Sequence, residues 1–390
     1  MQKSRFAIIN SDAKKISPLR IFWLCAIIIF LLLFLPIIRV RFFEYLGRWL
    51  YILLFAVSLS ASLTPLMRTI ALKLNIVDLP AERKVHESST PLLGGVAIII
   101  AFIAALGANM ILDGPSIALL ACAVFVAVVS LIDDWRGLSA RLKLLAQIIA
   151  VLVLVQYGII LSLFPANTYW GYALNFLLTT IWIVGITNSL NFFDGMDGLA
   201  AGIGAIMAFF MGIVAFQTYQ PFMGWIAVAM VGSCLGFLPY NFHFKRPASI
   251  FLGDTGSIFL GFTLAALAIK GNWSLHNPIV SFAAPVLIFW ILIFDMTYIT
   301  VERILTGKVK SFKDWIEYVG KDHLHHRLYA LLGDKRKAVL FIYFLCAILG
   351  ISAIALRDAR PLDGILLISQ AFLITVAISI LEYSGRHRHE

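Results

Sequence analysis

Apolar windows long enough to cross a hydrocarbon layer of roughly 30 Å recur from one end of this chain to the other, and no other feature restricts its fold as much. About twelve can be read, at 21–39, 50–70, 94–111, 116–132, 144–164, 172–190, 198–216, 222–240, 257–269, 278–298, 338–356 and 362–381. They are continuously apolar and lack the two-residue alternation of a membrane strand. The expected class is therefore all-α, a polytopic integral membrane protein of about twelve transmembrane helices. Composition agrees, since 61% of the 390 residues are hydrophobic and 13% are charged. A soluble domain of that balance would expose too much apolar surface to stay dispersed.

The first window follows a basic stretch, as a secretory signal does. It is too long for one and lacks a small-residue cleavage site, so a retained span is expected. Cys25, Cys122, Cys234 and Cys346 each fall inside an apolar window, dozens of residues apart. That spacing suits small buried hydrophobes and not a metal clasp. Gly198, Gly202 and Gly204, near the start of the seventh window, are read as sites of close helix contact.

The formal charge of +10 raises the question of a nucleic-acid partner. The Lys and Arg residues sit in short runs between apolar windows, where they act as orientation signals and contact anionic headgroups or phosphates, so no nucleic acid is expected. On these boundaries one side of the membrane collects 25 of the 31 Lys and Arg, leaving Arg39, Arg41, Arg48, Lys270, Arg357 and Arg360 on the other. The majority side is read as the cytoplasm. Its connections, at 73–93, 133–143, 188–197, 241–256 and 300–337, hold every unusual motif in the chain.

Asp133 and Asp134 end the fourth window. Adjacent carboxylates at a membrane boundary repel each other and resist desolvation, so a cation or a shared proton would relieve them. A solvated helix end with Arg136 or Arg141 as counter-ion is the plainer alternative. The second motif runs N-F-F-D-G-M-D-G from Asn191 to Gly198, with Asn191, Asp194 and Asp197 at spacings of three. Tight turns explain its glycines, and Asp197 is a candidate cap for the next helix. An EF-hand is disfavoured, because Met196 stands where an oxygen ligand belongs and no closing Glu follows.

Phe251 to Ser257 reads F-L-G-D-T-G-S and opens the ninth window. Asp254 either caps that helix or stands beside backbone N–H groups that face an anion, where its carboxylate can hold the counter-metal of a pyrophosphate. Asp322-His323-Leu324-His325-His326-Arg327 lies in the longest polar connection. It lacks the H-E-x-x-H pattern of a zinc helix and suits phosphate binding better. A fifth stretch carries Lys84 and His86, then Thr90-Pro91-Leu92-Leu93-Gly94-Gly95.

Taken in order, R-K-x-H with P-L-L-G-G, Asp133-Asp134, N-S-L-N-F-F-D-G-M-D-G-L-A-A-G, F-L-G-D-T-G-S and H-L-H-H-R-L resemble the polyprenyl-phosphate N-acetylhexosamine-1-phosphate transferases. The resemblance spans roughly residues 50–356. It implies a core at 49–356, preceded by an arm and an additional span at 1–48 and followed by a helix and tail at 357–390. The interrupted histidines and the T-P-L-L-G-G stretch resemble the branch that makes lipid-linked N-acetylglucosamine. The phospho-MurNAc-pentapeptide branch has three consecutive histidines instead. The segment 308–321 is longer than the family's usual approach to its histidines.

The resemblance further implies a bacterial inner-membrane enzyme whose site faces the cytoplasm. Its partners would be a UDP-N-acetylhexosamine and undecaprenyl phosphate in the bilayer, with a homodimer left open. The implied cofactor is Mg2+, or Mn2+ in its place, held by Asp254 with Asn191 or Asp194. Asp133, Asp134, Asp254, His325 and His326 are the implied catalytic set, with Asp133 as base or as nucleophile. The implied substrate contacts are Phe251 and Asp197 on uracil, and His323, His325, His326, Arg327, Lys84 and His86 on phosphate or sugar. An ion-coupled transporter and a zinc hydrolase are the competing classes. Only Asp295 lies well inside a window, as a transporter would require.

Overall fold

The computed structural model describes residues 18–78, 89–275, 278–311, 314–315, 318, 320 and 322–386. The fold is helical throughout, apart from a two-residue antiparallel ladder between β1 (Val77–Asp78) and β2 (Thr90–Pro91). The helices are α1 (Pro18–Leu33), α2 (Pro36–Arg41), α3 (Arg48–Lys73), α4 (Gly94–Ala108), α5 (Gly114–Arg136), α6 (Ala140–Gln156), α7 (Tyr169–Phe193) and α8 (Leu199–Gln217). They continue with α9 (Pro221–Asn241), α10 (Gly253–Lys270), α11 (Pro278–Ile288), α12 (Trp290–Leu305), α13 (Leu324–Leu332), α14 (Lys335–Ala355) and α15 (Pro361–Arg386).

Every apolar window contains a helix, but the windows are not twelve equal spans, and that at 144–164 is helical only to Gln156. Seven helices among the described residues are long and apolar enough to cross a membrane, and nine segments are if each of two bent pairs counts as one. The first window, expected as one continuous span, bends by 84° between Pro18–Leu33 and Pro36–Leu46. Pro36 supplies no N–H and its ring crowds the preceding turn, so the helix restarts there. The window at 278–298 bends by 74° at Phe289, whose amide closes on the Pro285 carbonyl at 2.9 Å. α4 is only 15 residues long.

Small residues set the packing. A Cβ on Gly232 or Gly236 of α9 would stand 2.7 Å from the Leu53 carbonyl and 2.3 Å from that of Val57, so α3 and α9 meet backbone to backbone. Gly202 behaves as expected, since a Cβ there would run into the Tyr343 hydroxyl of α14 at 1.8 Å. Cys122, Cys234 and Cys346 are buried free thiols, whereas Cys25 is exposed on α1. The expectation of burial fails at Cys25 because that side of α1 has no helix packed against it and leaves Ile21, Leu24 and Ile28 exposed as well.

The two ends of the bundle differ in charge. At one end Arg48 donates to the Asn109 carbonyl, Lys270 pairs with Asp113 at 3.0 Å, and the Arg357 carbonyl accepts from Leu275. Four of the helix ends meeting there are those of α3, α4, α5 and α10, and the opposite ends of α5 and α10 carry Asp133, Asp134 and Asp254. Three cations of the sequence-assigned minority side thus share the end away from the acids.

Candidate active site

Two sequence motifs are joined through their backbones. The amides of Gly94 and Gly95, opening α4, donate to the carbonyls of Phe251 at 3.0 Å and Leu252 at 2.8 Å, and the Phe251 amide donates to Pro91 at 2.8 Å. A Cβ on Gly95 would lie 2.3 Å from the Gly256 Cα. Only glycine permits this approach, so the P-L-L-G-G stretch fixes where α10 begins. Gly253 takes φ +74, a left-handed turn that bulkier residues resist.

Asp254 lies in the first turn of α10 and does not cap it. Asp134 of α5 does so instead, accepting from the amides of Asp254 at 3.1 Å and Thr255 at 3.0 Å and from the Thr255 hydroxyl at 2.7 Å. The helix N-terminus is thereby satisfied by a carboxylate from a neighbouring helix, and the Asp254 side chain is left to face elsewhere. It accepts from Lys143 Nζ at 2.9 Å and from Asn191 Nδ2 at 3.0 Å. Lys143 also reaches Asp133 at 2.5 Å, whose other oxygen accepts the Leu138 amide at 2.6 Å. The counter-ion of Asp133 is therefore Lys143, and not Arg136, which stacks on Trp135 at 4.7 Å.

Asn191 also donates to Ser257 at 2.9 Å, tying the end of α7 to the start of α10. One turn back, Asn188 and Gln147 exchange amide hydrogen bonds at 2.7 and 3.3 Å, which hold α6 against α7. Asp194, just past α7, receives no side-chain hydrogen bond among the described residues. Burial, then the charges of Asp254, Asp134 and Asp197, push its pKa well above the usual carboxylate range. Asp197 is not the cap of α8. That position is Gly198 at φ +80, whose amide is taken by Asn241 at 2.7 Å. Asp197 turns instead to the Ala248 amide at 2.9 Å, with its Oδ1 buried and unpartnered among the described residues.

The histidines close over this loop. A Cβ on Gly195 would sit 2.6 Å from His325 Nε2, and the rings of His323 and His325 lie 5.3 and 5.5 Å from those of Phe192 and Phe193. His325 is 1% exposed, and neither ring nitrogen has a hydrogen-bond partner among the described residues. Burial, then the neighbouring charges of His326, His323 and Arg327, hold its pKa well below the ordinary value, so the ring is neutral. The His326 ring lies beside it, tilted by 42° with ring centroids 4.1 Å apart.

The His segment is held from below by Asp295 of α12, fully buried. Its carboxylate accepts from His323 Nδ1 at 2.7 Å and from the Leu324 amide at 2.6 Å, which fixes the ring orientation of His323. Arg327 is buried, and its three guanidinium nitrogens make no hydrogen bond among the described residues. It is 5% exposed, packed over Tyr298 at 4.1 Å, with Glu382 of α15 at 3.4 Å and Asp295 at 3.8 Å. Phe251 is half-buried and anchored through its backbone. Lys84 and His86 lie outside the described residues.

Asp133, Asp134, Asn191, Asp194, Asp197, Asp254 and the His segment are thus gathered at one end of the bundle. Residues 116–272 match the family model described as glycosyl transferase family 4. The chain is 36% identical over 305 residues, 76% of its length and 82% of the relative's, to a protein of Bacillus subtilis named probable undecaprenyl-phosphate N-acetylglucosaminyl 1-phosphate transferase. This chain belongs to glycosyl transferase family 4.

A second relative in the family, decaprenyl-phosphate N-acetylglucosaminephosphotransferase of Mycobacterium leprae, is 32% identical over 82% of this chain and 86% of its own length. Phospho-N-acetylmuramoyl-pentapeptide-transferase of Rubrobacter xylanophilus is 35% identical over 51% of this chain and 66% of its own. This family 4 protein is therefore a multi-pass membrane enzyme, a phosphotransferase of the sugar-1-phosphate kind.

Sequence reasoning did not single out Lys143, Thr255, Ser257 or the positioning role of Asp295. Lys143 was visible only as one of two cations, with Arg141, in the first turn of an apolar helix ten residues after Asp133. Thr255 and Ser257 offered no signal beyond their place in the F-L-G-D-T-G-S motif.

Proposed function

We propose that this protein transfers N-acetylglucosamine 1-phosphate from UDP-N-acetylglucosamine to undecaprenyl phosphate, releasing UMP, as the first membrane step of a cell-surface polysaccharide pathway. The site faces the cytoplasm of a bacterial inner membrane. The observation that carries the reading is Asp254, bonded to both Lys143 and Asn191 beside the unbonded Asp194. A crowd of carboxylates with one shared lysine suits anionic substrates only if a further cation joins them. The sugar follows the relatives' names, because those that name N-acetylglucosamine cover most of this chain and the pentapeptide relative covers half.

The donor set fits magnesium. Among the described residues no three His, Cys, Asp or Glu side chains are grouped to hold a metal unaided, and magnesium takes one or two carboxylates and leaves its other positions to water and substrate phosphate. Asp254 and Asp194, with Asn191 alongside, are the residues to hold it. When bound, it supplies charge neutralisation on the pyrophosphate.

The chain's own residues align the reaction. A lipid phosphate oxygen forms a bond to the β-phosphorus of the UDP-sugar as the bond from that phosphorus to the bridging oxygen breaks, and UMP leaves with the electron pair. Asp133 takes the proton of the lipid phosphate if the monoester arrives protonated, and Lys143 holds Asp133 in place beside Asp254. Neutral His325, buried and with neither nitrogen paired among the described residues, donates to a sugar or phosphate oxygen. Asp134 acts through α10, whose first turn it fixes.

A transporter reading loses its main support, because Asp295, the acid inside an apolar window, is engaged by His323 and Leu324. The test is UMP release by the purified protein with UDP-N-acetylglucosamine, undecaprenyl phosphate and magnesium, repeated across a panel of UDP-sugars. Release that requires all three supports the proposal. Release with UDP-MurNAc-pentapeptide alone, or none with any donor, refutes it.

A further inference from the structure

α1 and the last turns of α3 enclose, with Tyr240, Ser249 and Ile250, a groove of about 760 Å³. That falls within the range of about 300–1,000 Å³ typical of ligand pockets. None of the candidate site residues lines it. Its walls are apolar, built from Leu19, Trp23, Leu24 and Leu66, and two arginines, Arg20 and Arg68, border it. Leu24 and Leu66 are 46% and 52% exposed, so the groove opens sideways to the bilayer.

The charge is at one place. Arg20 lies in the first turn of α1 and Arg68 near the end of α3, both exposed. Arg68 Nε donates to the Ser249 carbonyl at 3.1 Å, and its two terminal nitrogens make no other hydrogen bond among the described residues. Ser249 and Ile250 belong to the loop that delivers Phe251 and Asp254, so this border lies at the acid-bearing end of the bundle. An occupant must therefore be amphiphilic, with an anion at the arginines and a chain along α1 and α3. A soluble phosphate gains nothing from the apolar walls. Exposed guanidiniums beside a membrane-facing groove meet anionic phospholipids first.

We infer that this groove binds an anionic phospholipid, its phosphate on Arg20 and Arg68 and an acyl chain along Leu24 and Leu66. The lipid also braces the loop. The Ser249 amide and hydroxyl both donate to the Tyr240 carbonyl, and Asn241 Nδ2 donates to Ile250 at 2.9 Å, so a phosphate held beside Ser249 steadies the segment leading into Asp254.

The experiment is native mass spectrometry of the full chain in mild detergent, loaded with phosphatidylglycerol and compared with an Arg20→Gln/Arg68→Gln variant and with Leu24→Trp. The second variant keeps both arginines and fills the groove from its exposed wall. The wild type is expected to retain one phosphatidylglycerol at tenfold higher occupancy than either variant, each of which elutes as a folded species. Equal retention by all three overturns the inference. Displacement of the lipid by equimolar undecaprenyl phosphate also overturns it, since the groove would then belong to the acceptor.

Discussion

Lys143 Nζ lies 2.9 Å from Asp254 and 2.5 Å from Asp133, so one ammonium joins the first turns of α6 and α10 to the last turn of α5. The same α5 end also caps α10 through Asp134, so the three helices bring their charges together at one junction.

Replacing Lys143 with Met removes the only described cation shared by both acids. Transfer is expected to fall by about 10²–10³, the size of losing one preorganised electrostatic contact. Lys143→Arg should recover part of it. Initial rates of UMP release measure both, and wild-type turnover in Lys143→Met would separate this lysine from the chemistry.

Asp254→Asn keeps the shape of the side chain and removes its charge. Turnover should drop at least as far as in Lys143→Met, and the magnesium concentration for half-maximal rate should rise. Asp133→Asn and His325→Ala are expected to lose transfer while still inserting in the membrane.

Asp295 touches no proposed substrate position, yet it carries the His segment. Asp295→Ala strands His323 and Arg327 in a buried site, at a cost of about 3–5 kcal/mol for breaking a buried charged pair. The expected result is a lowered melting temperature in detergent together with lost turnover. A variant with a wild-type melt would show that the tether is unimportant.

His325 gives the pH dependence. Its folded pKa lies well below the ordinary value, while the unfolded chain titrates near 6.5, so below that pH the unfolded state binds the additional proton. The stability this contributes is present above about pH 6.5 and is lost as pH falls toward the folded value. His325→Gln should flatten the melting temperature between pH 5 and 7 relative to wild type.

Much of this was legible in the chain. Apolar windows announced the helices, and their connections announced which motifs share an end, because alternation across a membrane leaves little freedom. Bends were harder to see. Pro36 and Pro285 sit inside windows whose composition is that of an ordinary span, and whether a proline kinks or ends a helix depends on what packs beside it. The site was legible as a set of carboxylates and histidines, but not as a wiring diagram. Asp134 and Asp254 look alike in sequence. One caps a helix and the other faces the cluster, because Gly95 and Gly256 let α4 and α10 approach and turn the first residues of α10 toward α5. Arg327 read as a phosphate contact by its neighbours, and its burial against Tyr298 and beside Glu382 had no signal in the chain.

The claim that every active segment shares one end of the bundle is open to direct measurement. In a cysteine-free background, single cysteines at Trp135, Phe244 and Leu331, all exposed at the acid end, and at Met110 and Tyr169, exposed at the other, can be labelled with a membrane-impermeant maleimide. The first three should react only from the cytoplasmic side and the last two only from outside. Reaction of any two of the first three from opposite compartments would contradict the account.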